Sequence, residues 1–410
     1  MILIERHIIK YGSSEYDEFD KLCFLSKNLY NTALYRIRQH YFKTGKNLKK
    51  FQLINQLTSE QHADYVTLPR KVSQQVIIQV AQNMSSFFEL LKAKNKGEYS
   101  KKVSLPAYKE KDGRNILIFT NQAISKALLR DHNIIKFGGF IETTIHTKQN
   151  VIQQVRVVPH GNDYMVVEVL YNKPEQQTKI DNHRYMSIDL GINNLCTLGT
   201  NCLDVKNNII INGKPVKSIN QYYNKKYAKY KSIQSKCKDA YTNKLRTLRV
   251  KRENKLNDYL HKTSRYIVNH LVSNNINTLI IGYNKEWKQE TNIGKVNNQK
   301  FIQIPYLKLI QQLEYKCKLE GINVLKPEES YTSKASFIDN DFIPTFYPST
   351  KSNYKFSGKR ITRGLYRSSE GKIINADLNG SLNILRKVVP NAFDKCYGIE
   401  VYSTPKVITL

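Results

Sequence analysis

Apolar residues change their spacing several times along the chain, and each change predicts a new kind of element. The opening "MILIERHIIKY" alternates apolar and polar positions as a strand does. Over residues 15–42, Leu22, Leu25, Leu29, Ala33 and Ile37 recur at helical spacing, which predicts a long amphipathic helix. "SQQVIIQVAQNMSSFFELLKAKNK", about 73–96, predicts a second. Between 105 and 171 the apolar runs shorten to "NILIFT", "IIKFGGFIETTIHT", "VIQQVRVVP" and "YMVVEVLY", which read as strands. The expected arrangement is a β-rich piece interrupted by a helical insertion, with the N-terminal strand joining the later ones. "NKPEQQTKIDNHR", 172–184, reads as a linker into a second domain.

After the linker the pattern begins again. "YMSIDLGINNLCTLGT" predicts two strands around a Gly-Ile-Asn-Asn turn. "NNIIINGKPVK" predicts a third, with Asn212-Gly213 as a hairpin signal. A basic helical stretch covers about 218–272, with Leu245, Leu248, Leu256, Leu260 and Ile267 near one face. The strand "TLIIG", a helix "PYLKLIQQLEYKCKLEG" stopped at Gly321, and the strand "INVLKPEES" follow. A polar loop to about 371 leads into "KIINADLNGSLNILRKVV" and a final helix. Three strands, then helix, strand, helix, strand, helix, is the chain order of a ribonuclease-H-like α/β fold. Such sheets place ligands at the carboxyl ends of their strands.

Charge adds a partner class. The 410 residues carry 65 Lys plus Arg against 34 Asp plus Glu, a net +31, with an otherwise ordinary 40% hydrophobic content. Such an excess repels itself unless a polyanion shares the surface, and nucleic acid is the expected one. An AT-rich genome also encodes much Lys, Asn, Ile and Tyr, so composition alone does not decide. Cys23, Cys196, Cys202, Cys237, Cys317 and Cys396 form no C-x-x-C pair, against both a disulfide framework and a paired-thiolate zinc site. Charges within the first twelve residues argue against a secretory signal, and no run approaches the roughly 20 apolar residues of a membrane span. The expected compartment is reducing, aqueous and intracellular.

Two acids stand where chemistry is expected. Asp189 ends the strand "YMSID", and Asp377 lies in "INADLNG" at the start of the last helix. Asp189 also reads as a turn-initiating residue and Asp377 as part of a helix N-cap. Phosphodiester hydrolysis needs hard carboxylate oxygens to hold two Mg²⁺ ions, and two carboxylates rarely suffice. A third is expected at the end of "TLIIG", where the chain has Gly282 instead. The chain has no P-loop and no G-x-G-x-x-G motif, and "DNDF" lacks the features of a calcium loop. His261 reads as a packing or backbone-contact residue. Tyr222, Tyr223, Tyr227 and Tyr230 in "QYYNKKYAKY" read equally as base-stacking residues and as core.

"SIDLGINNLCTLGT", "TLIIGYNKEWKQ", "EESYTSKASFIDND" and "NADLNGSLNILRK" together resemble the TnpB family, RNA-guided DNA endonucleases of insertion-sequence transposons related to Fanzor proteins and type V CRISPR effectors. The resemblance covers about 183–390 well. It extends more loosely to "FLSKNLYNTALYRIR" and "SLPAYKEK", which are similar to the family's recognition helices and wedge barrel. It implies a wedge-like β-barrel over 1–15 and 100–175 and a helical recognition insertion over 16–99. It also implies a RuvC-like nuclease over 183–333 and 372–410, and a degenerate zinc-ribbon-like insertion over 334–371. By motif the family's first and last catalytic Asp fall on Asp189 and Asp377. Its usual middle-strand Glu is absent at Gly282, and the zinc-ribbon cysteines are absent too, so zinc is not expected.

Fanzor proteins and some TnpB branches resemble this chain in carrying the third acid later, in a motif similar to Glu-x-x-Thr-Ser. Here "EESYTSK" puts Glu329 three residues before Thr332. Glu329 is favoured over Glu328 because alternation along an extended segment turns only one of them inward; Glu286 and Glu290 are weaker rivals. The resemblance implies a guide RNA and a double-stranded DNA target as partners, and two Mg²⁺ ions on Asp189, Glu329 and Asp377. A nuclease-dead RNA-guided repressor and an unguided nuclease or transposase are the other readings.

Overall fold

The computed structural model describes residues 1–161, 164–205, 207–237, 243–284, 294–346, 354–394 and 405–410. The chain divides into two compact units, Met1–Pro174 and Glu175–Leu410.

In the first unit β1 (Ile2–Lys10) precedes a helical block. Ser13 caps α1 (Ser14–Thr44) by accepting a hydrogen bond from Tyr16 N, and Gly45, at φ 68°, ends it in the left-handed conformation that favours glycine. The helix buries Phe19, Leu22, Leu29, Ala33 and Ile37, the face that the spacing predicts. α2 (Lys50–Ser59) and α3 (Ala63–Val66), which the pattern reading leaves out, bury Leu53, Leu57 and Tyr65 in the same core. α4 (Arg70–Asn95) starts directly after Pro69, a few residues before the expected start. Short strands follow: β2 (Leu117–Thr120), a helix α5 (Lys126–His132), β3 (Ile134–Lys136), β4 (Thr144–His146), β5 (Gln154–His160) and β6 (Tyr164–Asn172).

The N-terminal strand does join the later ones. β1 pairs antiparallel with β6 over its whole length, from Ile2 opposite Asn172 to Lys10 opposite Tyr164. The sheet order is β1-β6-β5-β2, and β3 and β4 pair separately. α1 and α4 pack with this sheet around Phe19, Phe119 and Phe137, whose rings meet edge-on or tilted at 5.4 and 4.6 Å.

The second unit opens with β7 (Tyr185–Leu190), β8 (Asn194–Thr200) and β9 (Ile209–Asn212), which pair antiparallel in sequence. Asn212-Gly213 is not a hairpin. Asn212 Oδ1 accepts from Lys214 N, and α6 (Lys214–Cys237) begins there. Gly213 donates to Asn193 O, and a Cβ on it would lie 2.5 Å from Ile192 O, so close backbone approach is what requires this glycine. The basic helical stretch is two helices, α6 and α7 (Asn243–Ser273).

β10 (Thr278–Ile281), α8 (Lys295–Ile302), α9 (Tyr306–Leu319) and β11 (Asn323–Leu325) follow. Next come three short strands, β12 (Lys359–Arg360), β13 (Leu365–Arg367) and β14 (Ile373–Asn375), then α10 (Ala376–Val388) and β15 (Lys406–Ile408). The main sheet runs β11-β10-β7-β8-β9-β15, with β10 parallel to both β7 and β11.

The two faces of β7 bury different things. Met186, Ile188 and Leu190 join the core formed with α7 and α9, while Tyr185 packs with Ile384 and Leu385 of α10. Ser187 Oγ meets Ser381 O at 2.7 Å, and a Cβ on Gly199 would lie 2.9 Å from Leu382, so α10 sits very close to the sheet. No helix among the described residues is long and apolar enough to cross a membrane.

Candidate active site

Asp189 lies on the same face of β7 as Tyr185 and Ser187, since strand side chains alternate, and this is the face α10 covers. Its carboxylate reaches α10 at Gly380, where a Cβ would stand 2.8 Å from Asp189 Oδ2. The last helix therefore carries a glycine where the acid needs room.

Asp377 sits in the first turn of α10, and the capping role falls to Asn375, whose Oδ1 accepts from the backbone N–H of Asp377 and Leu378 at 3.0 and 3.1 Å. The Asp377 carboxylate is thereby left for other partners. Its Oδ2 accepts from Asn194 Nδ2 at 2.7 Å and its Oδ1 from Arg360 Nη2 at 3.2 Å. Asn194 comes from the start of β8, the strand paired with β7, and Arg360 from β12.

Gly282 follows β10 directly, and its N–H donates to Ile188 O. A Cβ on it would lie 2.5 Å from Glu329 Oε2 and 2.6 Å from Ile384 Cδ1. The position without a side chain is thus filled by the carboxylate of Glu329. The expected strand route to that acid is incorrect: β11 ends at Leu325, before Pro327, and a Pro cannot continue donating to the ladder. Glu328 and Glu329 stand in the turn beyond. There Tyr283 N donates to Pro327 O, Asn284 Oδ1 accepts from Glu329 N at 3.1 Å, and Thr332 Oγ1 donates to Glu329 O at 2.8 Å. Glu328 turns the other way, onto Lys387 Nζ at 2.6 Å. Turn geometry, not strand alternation, separates the two acids. Glu286 and Glu290 lie outside the described residues.

The electrostatics of the three acids are linked. Burial pushes the Asp189 carboxyl well above the usual range, and the nearby Glu329 and Asp377 push it further, against the pull of Arg360. Burial, then Glu328, raises Glu329 to about 7, with Lys387 opposing. Among the described residues no three His, Cys, Asp or Glu side chains stand close enough to hold one ion as they are. The acids instead relate pairwise through Asp189. Their donor chemistry, hard oxygens under mutual repulsion, fits a divalent hard cation. Asn194, Asn284 and Arg360 escaped the sequence reading. Arg360 had no local signal, and the two Asn residues carried only the look of turn residues.

The described residues of 334–346 and 354–371 are held by a polar knot. Asp341 Oδ2 accepts from Ser336 N at 2.8 Å and Ser357 N at 3.0 Å. Asp339 accepts from both Ser369 N and Oγ, at 2.9 and 2.6 Å. Asn379 and Asn383 of α10 donate to Ala335 O at 2.8 and 2.7 Å, and Arg386 donates to Asn340 and to Asp341 O. Tyr366 and Ile374 bury an apolar centre beneath it with Leu378 and Leu382.

The chain is similar to several known proteins. A family profile described as a probable transposase, OrfB_IS605, matches residues 167–288. A second, described as a Cas12f1-like TNB domain, matches residues 306–384. TnpB-like protein ORF457 of Acidianus two-tailed virus is 26% identical over 410 residues, spanning 90% of this chain and 83% of its own. Among solved structures, one of a Cas12f1-sgRNA-target DNA complex is similar at 15% identity with a TM-score of 0.34, covering 93% of this chain and 98% of that one. A CRISPR-Cas12f ternary complex is similar at 15% identity and a TM-score of 0.36, covering 90% and 81%.

Proposed function

This chain belongs to the TnpB family, and from that premise we propose that it is an RNA-guided DNA endonuclease of a transposon. One observation carries the reading: Glu329 fills the space that Gly282 leaves, at the carboxyl ends of the neighbouring strands β10 and β7, where Asp189 lies, and against α10, which carries Asp377. A relocated acid whose position is built by a complementary glycine is the arrangement expected of a site kept for cutting. In this reading the second unit is a ribonuclease-H-like, RuvC-type nuclease, supported by antiparallel β7-β8-β9 flanked by parallel β10 and β11. The first unit is the wedge and recognition part.

Asp189, Glu329 and Asp377 would hold Mg²⁺, which when bound supplies an activated water and charge stabilisation at the departing 3′ oxygen. The chain's own groups do the positioning. Asn284 orients Glu329, and Asn194 and Arg360 orient Asp377. Arg360, 43% exposed, offers a guanidinium fork to a scissile phosphate. Burial and neighbouring carboxylates raise the pKa of both Asp189 and Glu329, so each resists ionising more than an exposed carboxylate does. Target choice comes from pairing between guide RNA and DNA, with the protein reading a short flanking motif. The net +31 is the electrostatic counterpart of two nucleic-acid partners.

The test is to purify the protein with the transcript that flanks its gene and to assay a matched plasmid in Mg²⁺. Wild type and Glu328→Gln are expected to cut, and Glu329→Gln is expected to lose cutting while keeping RNA. Target binding without cutting by wild type would leave a repressor. Cutting without any copurifying RNA would leave an unguided nuclease. Either result overturns the proposal.

A further inference from the structure

The tyrosines of α6 do not belong to the core. Tyr222 is 60% exposed, and Tyr223 stacks on Tyr227 at 5.5 Å with 28° between the rings. Tyr222, Tyr223 and Tyr230 line a groove of about 640 Å³ between α6 and the first half of α7. Among the described residues its walls carry Lys244, Lys251, Arg252 and Lys255 and no acid. Arg252 lies over the Tyr223 ring at 4.8 Å and is held there by Asn220 Oδ1 at 2.8 Å. An open groove that pairs exposed aromatic faces with several cations matches a base joined to phosphates. A plain solvated helix face needs neither the stacked rings nor the positioned guanidinium.

We propose that this groove binds an unpaired nucleotide of an RNA, its base on Tyr222 and its flanking phosphates on Lys251 and Lys255. The proposal rests on the reading of RNA as a partner and adds where one part of it sits. Two features favour RNA over DNA. Ser218, Thr247 and Asn243 line the same groove and supply neutral donors and acceptors for a 2′-hydroxyl. In addition, α7 packs on the face of the sheet opposite α10, so the groove is built on the side away from the carboxylates that act on DNA.

The test uses the full chain, stripped of copurifying nucleic acid, and fluorescein-labelled oligo-U of about 15 nucleotides, followed by anisotropy against salt. Tyr222→Leu is expected to weaken binding roughly 10-fold, the scale of one lost base stack. Lys251→Gln with Lys255→Gln is expected to make the slope of log K against log salt shallower by about 1.4, two single-strand phosphate contacts. Both sites are exposed, so unchanged circular-dichroism melting serves as the folding control. Wild type is expected to prefer oligo-U over oligo-dT of equal length. Unchanged binding by both variants, or equal affinity for oligo-dT, overturns the proposal. Failure here is separable from failure of the nuclease reading. Guided cutting by a wild type whose Tyr222→Leu variant binds RNA normally refutes only the groove. Tyr222-dependent RNA binding without any cutting refutes only the nuclease.

Discussion

Glu329 and Gly282 occupy one place between them: Oε2 of the glutamate lies 2.5 Å from where the glycine's Cβ would be. A side chain at 282 and the carboxylate of 329 are therefore alternatives, although 47 positions separate them in the chain.

That exclusion predicts an exchange. Gly282→Ala should displace the Glu329 carboxylate and Ile384, both flexible ends, costing about 1 kcal/mol of stability but a much larger share of DNA cutting. Gly282→Glu alone should be worse in both respects. Adding Glu329→Ala to Gly282→Glu should recover stability, and some activity, relative to Gly282→Glu alone. Thermal melting and plasmid cleavage on the four proteins check this. A double variant no better than Gly282→Glu removes the complementarity.

The raised Glu329 carboxyl predicts a pH dependence in chelator-treated protein. The folded state keeps a proton there up to about 7, whereas the unfolded chain releases it near the ordinary glutamate value of 4.5. The folded state thus binds more protons in this window, and stability falls as pH rises through it. The loss is at most about 1.4 kcal/mol per pH unit. Denaturant titrations between pH 4.5 and 8 should show a smaller decline for Glu329→Gln than for wild type. Mg²⁺ should restore stability at pH 8 in wild type and not in Asp189→Asn.

Arg360 predicts a loss of rate with little loss of fold. The guanidinium is 43% exposed, yet it touches Asp377 and lowers the charge burden on Asp189. Arg360→Gln should reduce cleavage on the order of 100-fold, the scale of one lost electrostatic stabiliser, with melting close to wild type. Single-turnover cleavage separates the two effects. A variant that cuts normally would leave Arg360 a surface ion pair.

The polar knot of 334–371 predicts stability that does not depend on zinc. Asp341→Asn removes acceptor charge from Ser336 N and Ser357 N and should destabilise by about 1–3 kcal/mol. A chelator should not lower the melting midpoint of wild type. A midpoint that falls on chelation and returns with Zn²⁺ would contradict this account.

The sequence alone determined what local periodicity encodes. Period two marked β1, short apolar runs marked β5 and β6, and helical spacing marked α1, α4 and α7, because each element's hydrogen bonds close within a few residues or along one partner strand. It also determined the order of motifs, which carries the family resemblance, and the excess of cations, which raises the expectation of a polyanionic partner. Short elements such as α2 and α3 escaped because their few apolar residues become ordered only by packing on α1 and α4. The motif already favoured Glu329 over Glu328, but the physical reason that Glu329 lies against Gly282 is tertiary: a turn after Pro327 stitched to Tyr283 and Asn284 separates the two acids. The tertiary structure alone brought Asn194 to Asp377 across 183 positions, and Arg360 across 17 from the other side. Such convergence is set by how close α10 lies to the sheet, and no pattern within either segment carries that distance.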